Sequence, residues 1–566
     1  MPQKEWFDMI HDLFLAVMRY TAPILAVILL FRCCKPLLGF RREPEIWGFL
    51  ILGNGKRLPV THWENVIGRH KRCDIRLDFP VVSNNHAVLT RYDDGSWSIS
   101  DAGSKNGVWV NGSRVQMQAL EPEDVISVGG LEMQLRPVTG PQLQRLEQNR
   151  TQGSTGLACI GNLMILTILQ VLSCFGFLLS GADGHSLSVL SGYGGLMVLE
   201  WSLLIFYLAI HRTAFEVETL AFLLCTMGMA AICTIKPGES VKQLLAVVMG
   251  IGVFLTVGWS MRHLERAKIM RYAAAVAGIG LLAVTLVFGK EYYGAKNWLV
   301  LGPLSLQPSE LSKVCFVYVG ASTMDRLMHK RNLITFIAYT LIVCGFLALM
   351  NDFGTAMIFF VAFLMIAYLR SGSVGTVALA LTALGFAAAL ALSVAPHAMQ
   401  RFSAWRHIWE DPLGAGYQQT RALMCLAAGG LFGLGIDQGW MENLFAADSD
   451  MVFATLAEEW GLIMPVLLVF AVVALGLFAM RSAAVSRSSF YTIGSCTAAA
   501  MLIVQTMFNV LGTVDVLPLT GVTFPFVSNG GSSMMCAWGL LAFIKAADTR
   551  KSASFAVRRD RKEGLQ

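Results

Sequence analysis

Apolar residues follow two different rhythms along this chain. From Glu45 to about Pro137 they alternate with polar residues in short runs, FLILG, HAVLTRY, SWSIS and VWVNG, separated by the turn-forming clusters DDG, GSKNG and NGS. That period of two predicts a small antiparallel β-sandwich. Elsewhere the apolar runs are long enough to cross a hydrocarbon core of about 30 Å. Leu13 to Phe31 is one, and about twelve follow near 157–179, 189–210, 216–234, 243–260, 270–288, 310–324, 333–350, 355–370, 374–395, 457–479, 490–512 and 531–547. The pattern predicts a polytopic α-helical membrane protein of about thirteen transmembrane helices with one inserted all-β domain.

Between the two rhythms lies Pro137 to Gly156, polar, rich in Gln, Thr and Gly and without apolar periodicity, which reads as a flexible tether. The predicted organisation is a transmembrane anchor (1–44), the β domain (45–137), a linker (138–156), two additional transmembrane helices (157–212), a membrane domain (213–550) and a basic tail (551–566).

Composition agrees: 55% of the 566 residues are hydrophobic and 14% charged, with a mean hydropathy of +0.56. The net charge of +6 matters less than its placement. Basic residues gather in short loops, HRT, RHLERAK, DRLMHKR, LRSG and RSAAVSR, and in the tail RKSASFAVRRDRK. That placement orients helices in a membrane and is no signature of nucleic acid binding. Glu5, Asp8 and Asp12 precede the first run and Arg32, Lys35, Arg41 and Arg42 follow it, so the N-terminus is expected outside and the β domain, basic loops and C-terminus in the cytoplasm. Arg19 and Pro23 inside that run, with no small-residue cleavage site after it, fit a retained anchor better than a removed signal peptide. Gly289–Ser309, Ala395–Asp450 and Asp515–Gly530 then fall outside. Most of the 12 cysteines lie in apolar spans, with Cys425 outside, and show neither a disulfide framework nor zinc-ligand spacing.

The outward loops hold the unusual polar chemistry. The most polar is Arg401–Gln418, RFSAWRHIWEDPLGAGYQ, where Asp411-Pro412 opens a turn and Gly414 and Gly416 permit tight backbone geometry. A carboxylate fixed there, with Arg401 and Arg406 nearby, is equipped to take a proton beside an anionic substrate; the same residues also suit a carboxylate that only shapes the turn. In GAKNWLVLGPLSLQPSELSK, Glu310 and Lys313 are three apart at a helix start and share one face. Asp352 enters the next helix in NDFGTA. Ionisable groups at membrane depth are costly, so these three serve either a structural ion pair or a substrate.

Within the β domain, Gly68-Arg69, SNNH at Ser83 to His86, Ser104-Lys105-Asn106-Gly107 and Asn111-Gly112 together resemble a forkhead-associated (FHA) domain. The resemblance implies a phosphothreonine held by Arg69, Ser83, Asn84, Lys105 and Asn106, a guanidinium fork, a hydroxyl and amide donors converging from loops. Lys105 stands where that family often has a small hydroxyl residue.

The membrane segments resemble the shape, elongation, division and sporulation proteins, the FtsW/RodA family. GAKNWLVLG, QPSELSK, NDFGTA, WEDPLGAGYQ with the later glycine run, Asp450 to Gly461, and LPLTGVTFPFVSNGGSS match that family's blocks in order, covering roughly Phe215 to Ala547, and the WED form leans towards FtsW. Asn297 departs from an arginine, Arg421-Ala422 from Gln-Ser, Asp448-Ser449 from His-Thr, Asp515 from a glycine and Asn529 from a tyrosine. The resemblance implies a peptidoglycan glycosyltransferase that polymerises lipid II at the outer membrane surface beside a class B penicillin-binding protein. It makes Asp411 the base and Arg401 a cation for the pyrophosphate, places Glu310, Lys313 and Asp352 near substrate, and has Trp298 shape the cleft. The acceptor's 4-hydroxyl attacks the donor's anomeric carbon and undecaprenyl pyrophosphate leaves. No cofactor is indicated, and a divalent cation stays open. Two other readings also stay open: a lipid II transporter, and a catalytically inactive scaffold recruiting phosphorylated division proteins.

Overall fold

The computed structural model describes all residues except 1, 41–43, 72, 93, 139–140, 143–152, 181–183, 293–294, 302–303, 323–329, 372–373, 376, 384, 386–398, 400–401, 404, 552 and 556–566. Helix α1 (Pro2–Leu38) leads into eleven short strands: β1 (Gly48–Leu52), β2 (Arg57–Val60), β3 (Glu64–Gly68), β4 (Ile75–Arg76), β5 (Ala87–Arg91), β6 (Trp97–Asp101), β7 (Val108–Val110), β8 (Ser113–Val115), β9 (Met117–Leu120), β10 (Val125–Val128) and β11 (Leu131–Pro137). They form two sheets, in the orders β2-β1-β11-β10-β7-β8 and β4-β3-β5-β6-β9. The alternation seen in the sequence places Leu50, Ile67, Leu89, Ile99, Val108 and Val128 in the buried layer between them.

The remaining helices are α2 (Gly156–Leu179), α3 (Ser186–Ala209), α4 (Glu216–Ile235), α5 (Ser240–Ser260), α6 (Leu264–Phe288), α7 (Pro308–Ser322), α8 (Lys330–Leu349), α9 (Phe353–Ser371), α10 (Tyr417–Gly429), α11 (Val452–Trp460), α12 (Ile463–Ala483), α13 (Ser489–Thr513) and α14 (Gly531–Ala546). Strands β12 (Lys290–Tyr292), β13 (Ala295–Leu301) and β14 (Leu304–Leu306) make a small antiparallel sheet between α6 and α7. Among the described residues nine helices are long and apolar enough to cross a membrane, and Ile334–Leu349 and Gly531–Ala546 are shorter apolar helices. Helices α4 and α14 are buried almost throughout and form the centre of the bundle, while α1, α2 and α3 pack against one side of it.

One expectation meets a different local structure. The apolar run at 457–479 is split: α11 ends at Trp460, Gly461 adopts φ +80°, and α12 starts at Ile463. A side chain at Gly461 would collide with the backbone of Leu431 and Phe432, so the break is also a contact point for the glycine-rich loop. The expected span at 374–395 lies largely outside the described residues, as does most of the tether.

The sandwich is seated on the α12–α13 connection. Arg487 Nε lies 2.8 Å from Glu45 Oε2 and its Nη2 donates to Glu45 Oε1 at 2.9 Å, with both side chains largely buried. Trp63 N–H donates to Arg487 O (2.6 Å), Ser489 N–H donates to Glu64 Oε2 (3.3 Å), and the Trp63 ring meets Tyr491 edge-on at 6.2 Å. Lys268 of α6 reaches the Tyr92 ring at 5.5 Å. This side of the bundle is the near face, and the opposite side is the far face.

Buried charges tie the near-face helix ends together. Arg550 pairs with Asp548 (2.8 Å) and Glu216 (3.3 Å) and reaches Pro36 O of α1 (3.4 Å). Lys545 pairs with Glu218 (3.0 Å), which also accepts from Tyr207 of α3 (2.6 Å). Deeper in the bundle, Gln170 of α2 donates to Glu200 of α3 and to Thr226 of α4, both at 3.0 Å, so the two added helices are hydrogen-bonded to each other and to the centre.

Candidate functional site

The far face gathers the loops that carry the unusual polar residues. Asp411 is exposed, and its carboxylate is fixed by its own turn: Oδ1 accepts from Gly414 N–H and Oδ2 from Ala415 N–H, each at 3.0 Å, while its carbonyl accepts from Gly416 N–H at 3.0 Å. The turn runs directly into α10. A side chain at Gly414 would fall on the Asp411 carboxylate, and one at Gly416 on Ile408 O, so both glycines answer to close packing. Two amide donors orient the carboxylate, and the remaining lone pairs face solvent, where a hydroxyl can approach.

The loop is hinged on the segment after α13. Arg406 N–H donates to Asp515 Oδ1 (3.3 Å), Trp405 Nε1 donates to Val516 O (3.2 Å), and Gln419 Nε2 donates to Gly512 O (3.1 Å) and Asp515 Oδ1 (3.4 Å). Asp515 has φ +57°, a left-handed conformation in which glycine is the usual occupant and aspartate is tolerated. Its carboxylate braces the loop.

Asp352 belongs to a separate group. It is buried and accepts from Asn297 Nδ2 and Gln307 Nε2, both at 3.3 Å, and from Thr355 N–H at 3.1 Å. Gln307 N–H in turn donates to Ser532 Oγ at the start of α14 (3.1 Å). One turn into α7, Lys313 donates to Glu310 Oε1 at 2.6 Å; both are buried, and among the described residues Glu310 Oε2 has no hydrogen-bond partner. Trp298 is half-buried on β13 opposite Lys290. Among the described residues no hydrogen bond or ion pair joins Asp411 to Asp352, Glu310 or Lys313. Arg401 lies outside the described residues. Nor, among those described, do three or more His, Cys, Asp or Glu side chains form a group that could hold a metal ion.

Two departures from the family pattern touch each other. Asn529 Nδ2 donates to Asp448 Oδ2 (2.7 Å) and Asn529 N–H to Asp448 O (2.8 Å), and Lys236, from the end of α4, pairs with the same Asp448 oxygen at 2.9 Å. The two side chains thus satisfy each other, with a lysine neutralising the acid.

In the sandwich, Arg69, Asn84, Lys105 and Asn106 are exposed and Ser83 half-buried on adjoining loops. Arg69 N–H donates to Ser83 O (3.0 Å), Lys105 N–H to Ser83 Oγ (3.1 Å), and Asn106 Nδ2 to Val81 O (2.7 Å). These bonds bring all five expected residues to one apex, where Arg69 is exposed. His86, quoted in the SNNH motif but given no role by the sequence, organises that apex. Its Nδ1 accepts from Ser83 N–H (3.1 Å), which fixes the tautomer so that Nε2–H donates to Gly107 O (3.0 Å). The apex lies at the Gly68 end of β3 and the seat at its Glu64 end, roughly 13 Å apart along the strand.

Comparison with known proteins agrees with this division. The family model described as "cell cycle protein", FtsW/RodA/SpoVE, matches residues 212–553, and that of the FHA domain matches 65–129. The peptidoglycan glycosyltransferase RodA of Mycobacterium tuberculosis is 29% identical over 325 residues, covering 54% of this chain and 69% of RodA. The probable peptidoglycan glycosyltransferase FtsW of Alkalilimnicola ehrlichii is 30% identical over 355 residues, covering 60% and 88% respectively. A solved chain of a peptidoglycan synthase complex is 26% identical, with a TM-score of 0.49, covering 58% of this chain and 96% of that one. The family match spans more than half of the sequence and reaches from α4 to α14, so the chain belongs to the FtsW/RodA/SpoVE family and carries an FHA domain ahead of its membrane core.

Proposed function

We propose that the protein is a peptidoglycan glycosyltransferase that polymerises lipid II on the far face, which is the outer face of the cytoplasmic membrane, with the FHA domain, the near face and the C-terminus in the cytoplasm and the N-terminus outside. The observation that carries this reading is the Asp411 turn: an exposed carboxylate held by two backbone amides, in the family's own sequence block. Asp411 takes the proton of the acceptor's 4-hydroxyl as that oxygen bonds to the donor's anomeric carbon. The anomeric C–O bond breaks, and undecaprenyl pyrophosphate leaves with the electron pair. Arg401 receives its charge, Trp298 shapes the cleft, and Glu310, Lys313 and Asp352 line the substrate side. A class B penicillin-binding protein is the partner that crosslinks the product.

The FHA apex binds a phosphothreonine-containing protein. Support for this role comes from the exposed Arg69 fork beside Ser83 and Asn84 and from the basic loops around the near face. The departures at Asp448 and Asn529 are mutually satisfied and do not leave broken contacts, which favours a working enzyme over an inactive scaffold.

Purified protein supplied with lipid II, with and without a partner synthase, should make glycan chains, and Asp411→Asn should make none. Glycan from the Asn variant at the wild-type rate would remove Asp411 as the base. Lipid II movement without polymerisation would instead favour a transporter.

A further inference from the structure

Two of the departures move charge in opposite directions. Asn297 stands where the family pattern has an arginine, and Arg421 stands where it has a glutamine. Asn297 gives Asp352 only a neutral amide, and among the described residues no cation pairs with that carboxylate. Arg421 adds a cation elsewhere, on α10 just after the Asp411 turn.

Arg421 is unusually placed for a surface arginine. Its guanidinium sits 5.4 Å from the Tyr417 ring centre and 6.0 Å from that of Trp440, and Nη1 lies 3.4 Å from Met424 Sδ. No carboxylate among the described residues pairs with it, and Nε is buried without an acceptor. A guanidinium is planar and weakly hydrated, so aromatic side chains can hold it in place while its in-plane N–H groups await a ligand that arrives with its own oxygens. The surroundings select the kind of anion. The three neighbours of Arg421 are themselves open to the surface: Tyr417 is 36% exposed, Met424 43% and Trp440 42%. A free inorganic anion gains nothing from such neighbours, whereas a headgroup attached to a long hydrocarbon chain covers them.

We infer that Arg421 binds the diphosphate of the polyprenyl-linked substrate and product. The inference rests on the glycosyltransferase reading and adds a binding residue to it.

The test uses full-length protein in detergent micelles. Arg421→Gln should raise KM for lipid II about tenfold, the worth of one lost charge-assisted contact, with kcat changed less than about twofold. Arg421→Lys should fall between, because it keeps the charge and loses the planar fork. Undecaprenyl diphosphate should compete with lipid II on the wild type far better than inorganic pyrophosphate does, and its binding should weaken about tenfold in Arg421→Gln. Unchanged KM together with unchanged product binding would overturn the assignment, and equal competition by inorganic pyrophosphate would overturn its lipid-linked form. Product binding is read without turnover, so it separates the two readings. A wild type that makes no glycan, yet loses product binding in Arg421→Gln, would sink the glycosyltransferase and leave the anion site standing.

Discussion

Gly414 and the Asp411 carboxylate compete for one small volume, and the absence of a Cβ settles the competition. Gly414→Ala should therefore push the carboxylate off its amide donors and lower glycan synthesis at least tenfold while the protein still inserts and purifies, and a fully active Gly414→Ala enzyme would show that the turn geometry does not matter. Asp448 and Asn529 give a second test at this scale. Exchanging either alone, Asp448→His or Asn529→Tyr, removes a contact that the remaining partner makes in the native pair. The double exchange towards the family residues should cost less than the two single losses combined, by about 1 kcal/mol or more in a thermal unfolding cycle; strict additivity would mean that the two positions are independent. Asp411 itself was legible as a turn residue from Asp-Pro-x-Gly. The left-handed Asp515 that braces its loop was not, because it lies more than a hundred residues away and showed in the sequence only as a departure.

Among the elements, the sandwich and its seat carry the largest surprise. RSAAVSR served in the sequence only as a basic loop that orients helices, yet its Arg487 is paired with Glu45, 442 residues earlier, and largely buried. Local pattern has no access to such a pairing, since charge rules see a loop and not its partner. Arg487→Ala takes this partner away from the buried Glu45, and breaking a buried pair costs roughly 3 kcal/mol. Amide exchange around Trp63 and Ser489 should then rise sharply, whereas Arg69→Ala, at the other end of β3, should leave it unchanged and abolish phosphothreonine peptide binding. Equal protection in Arg487→Ala would show that the seat is held by the aromatic contacts instead.

At the scale of the whole molecule, the membrane character, the position of the inserted β domain and the order of the blocks were all readable, because long apolar runs and alternating strands are local signals. The near-face network was not, since Glu216, Glu218 and Lys545 stand at the ends of apolar runs and Arg550 just beyond one, where charges ordinarily meet water, until the bundle buries them. Arg550 joins α1, α4 and the end of α14. Arg550→Met should lower the melting temperature of the detergent-solubilised protein by several degrees, because it leaves Asp548 and Glu216 buried and unpaired. An unchanged melting temperature would mean that the network adds nothing to stability.

The seat of the sandwich also settles a question of supply. A receptor domain made as a separate protein must find its enzyme, and occupancy then depends on how much of each the cell makes. Here the ratio is fixed at one to one, and the domain is bolted to the helix connection with its apex turned away, so any phosphorylated protein it holds is kept at an effective concentration on the order of millimolar beside the bundle. A partner with only weak affinity for the membrane domain would still stay engaged for as long as its phosphate lasts. The duration of engagement would then be set by the phosphatase that removes the mark, and hardly at all by the abundance of the partner.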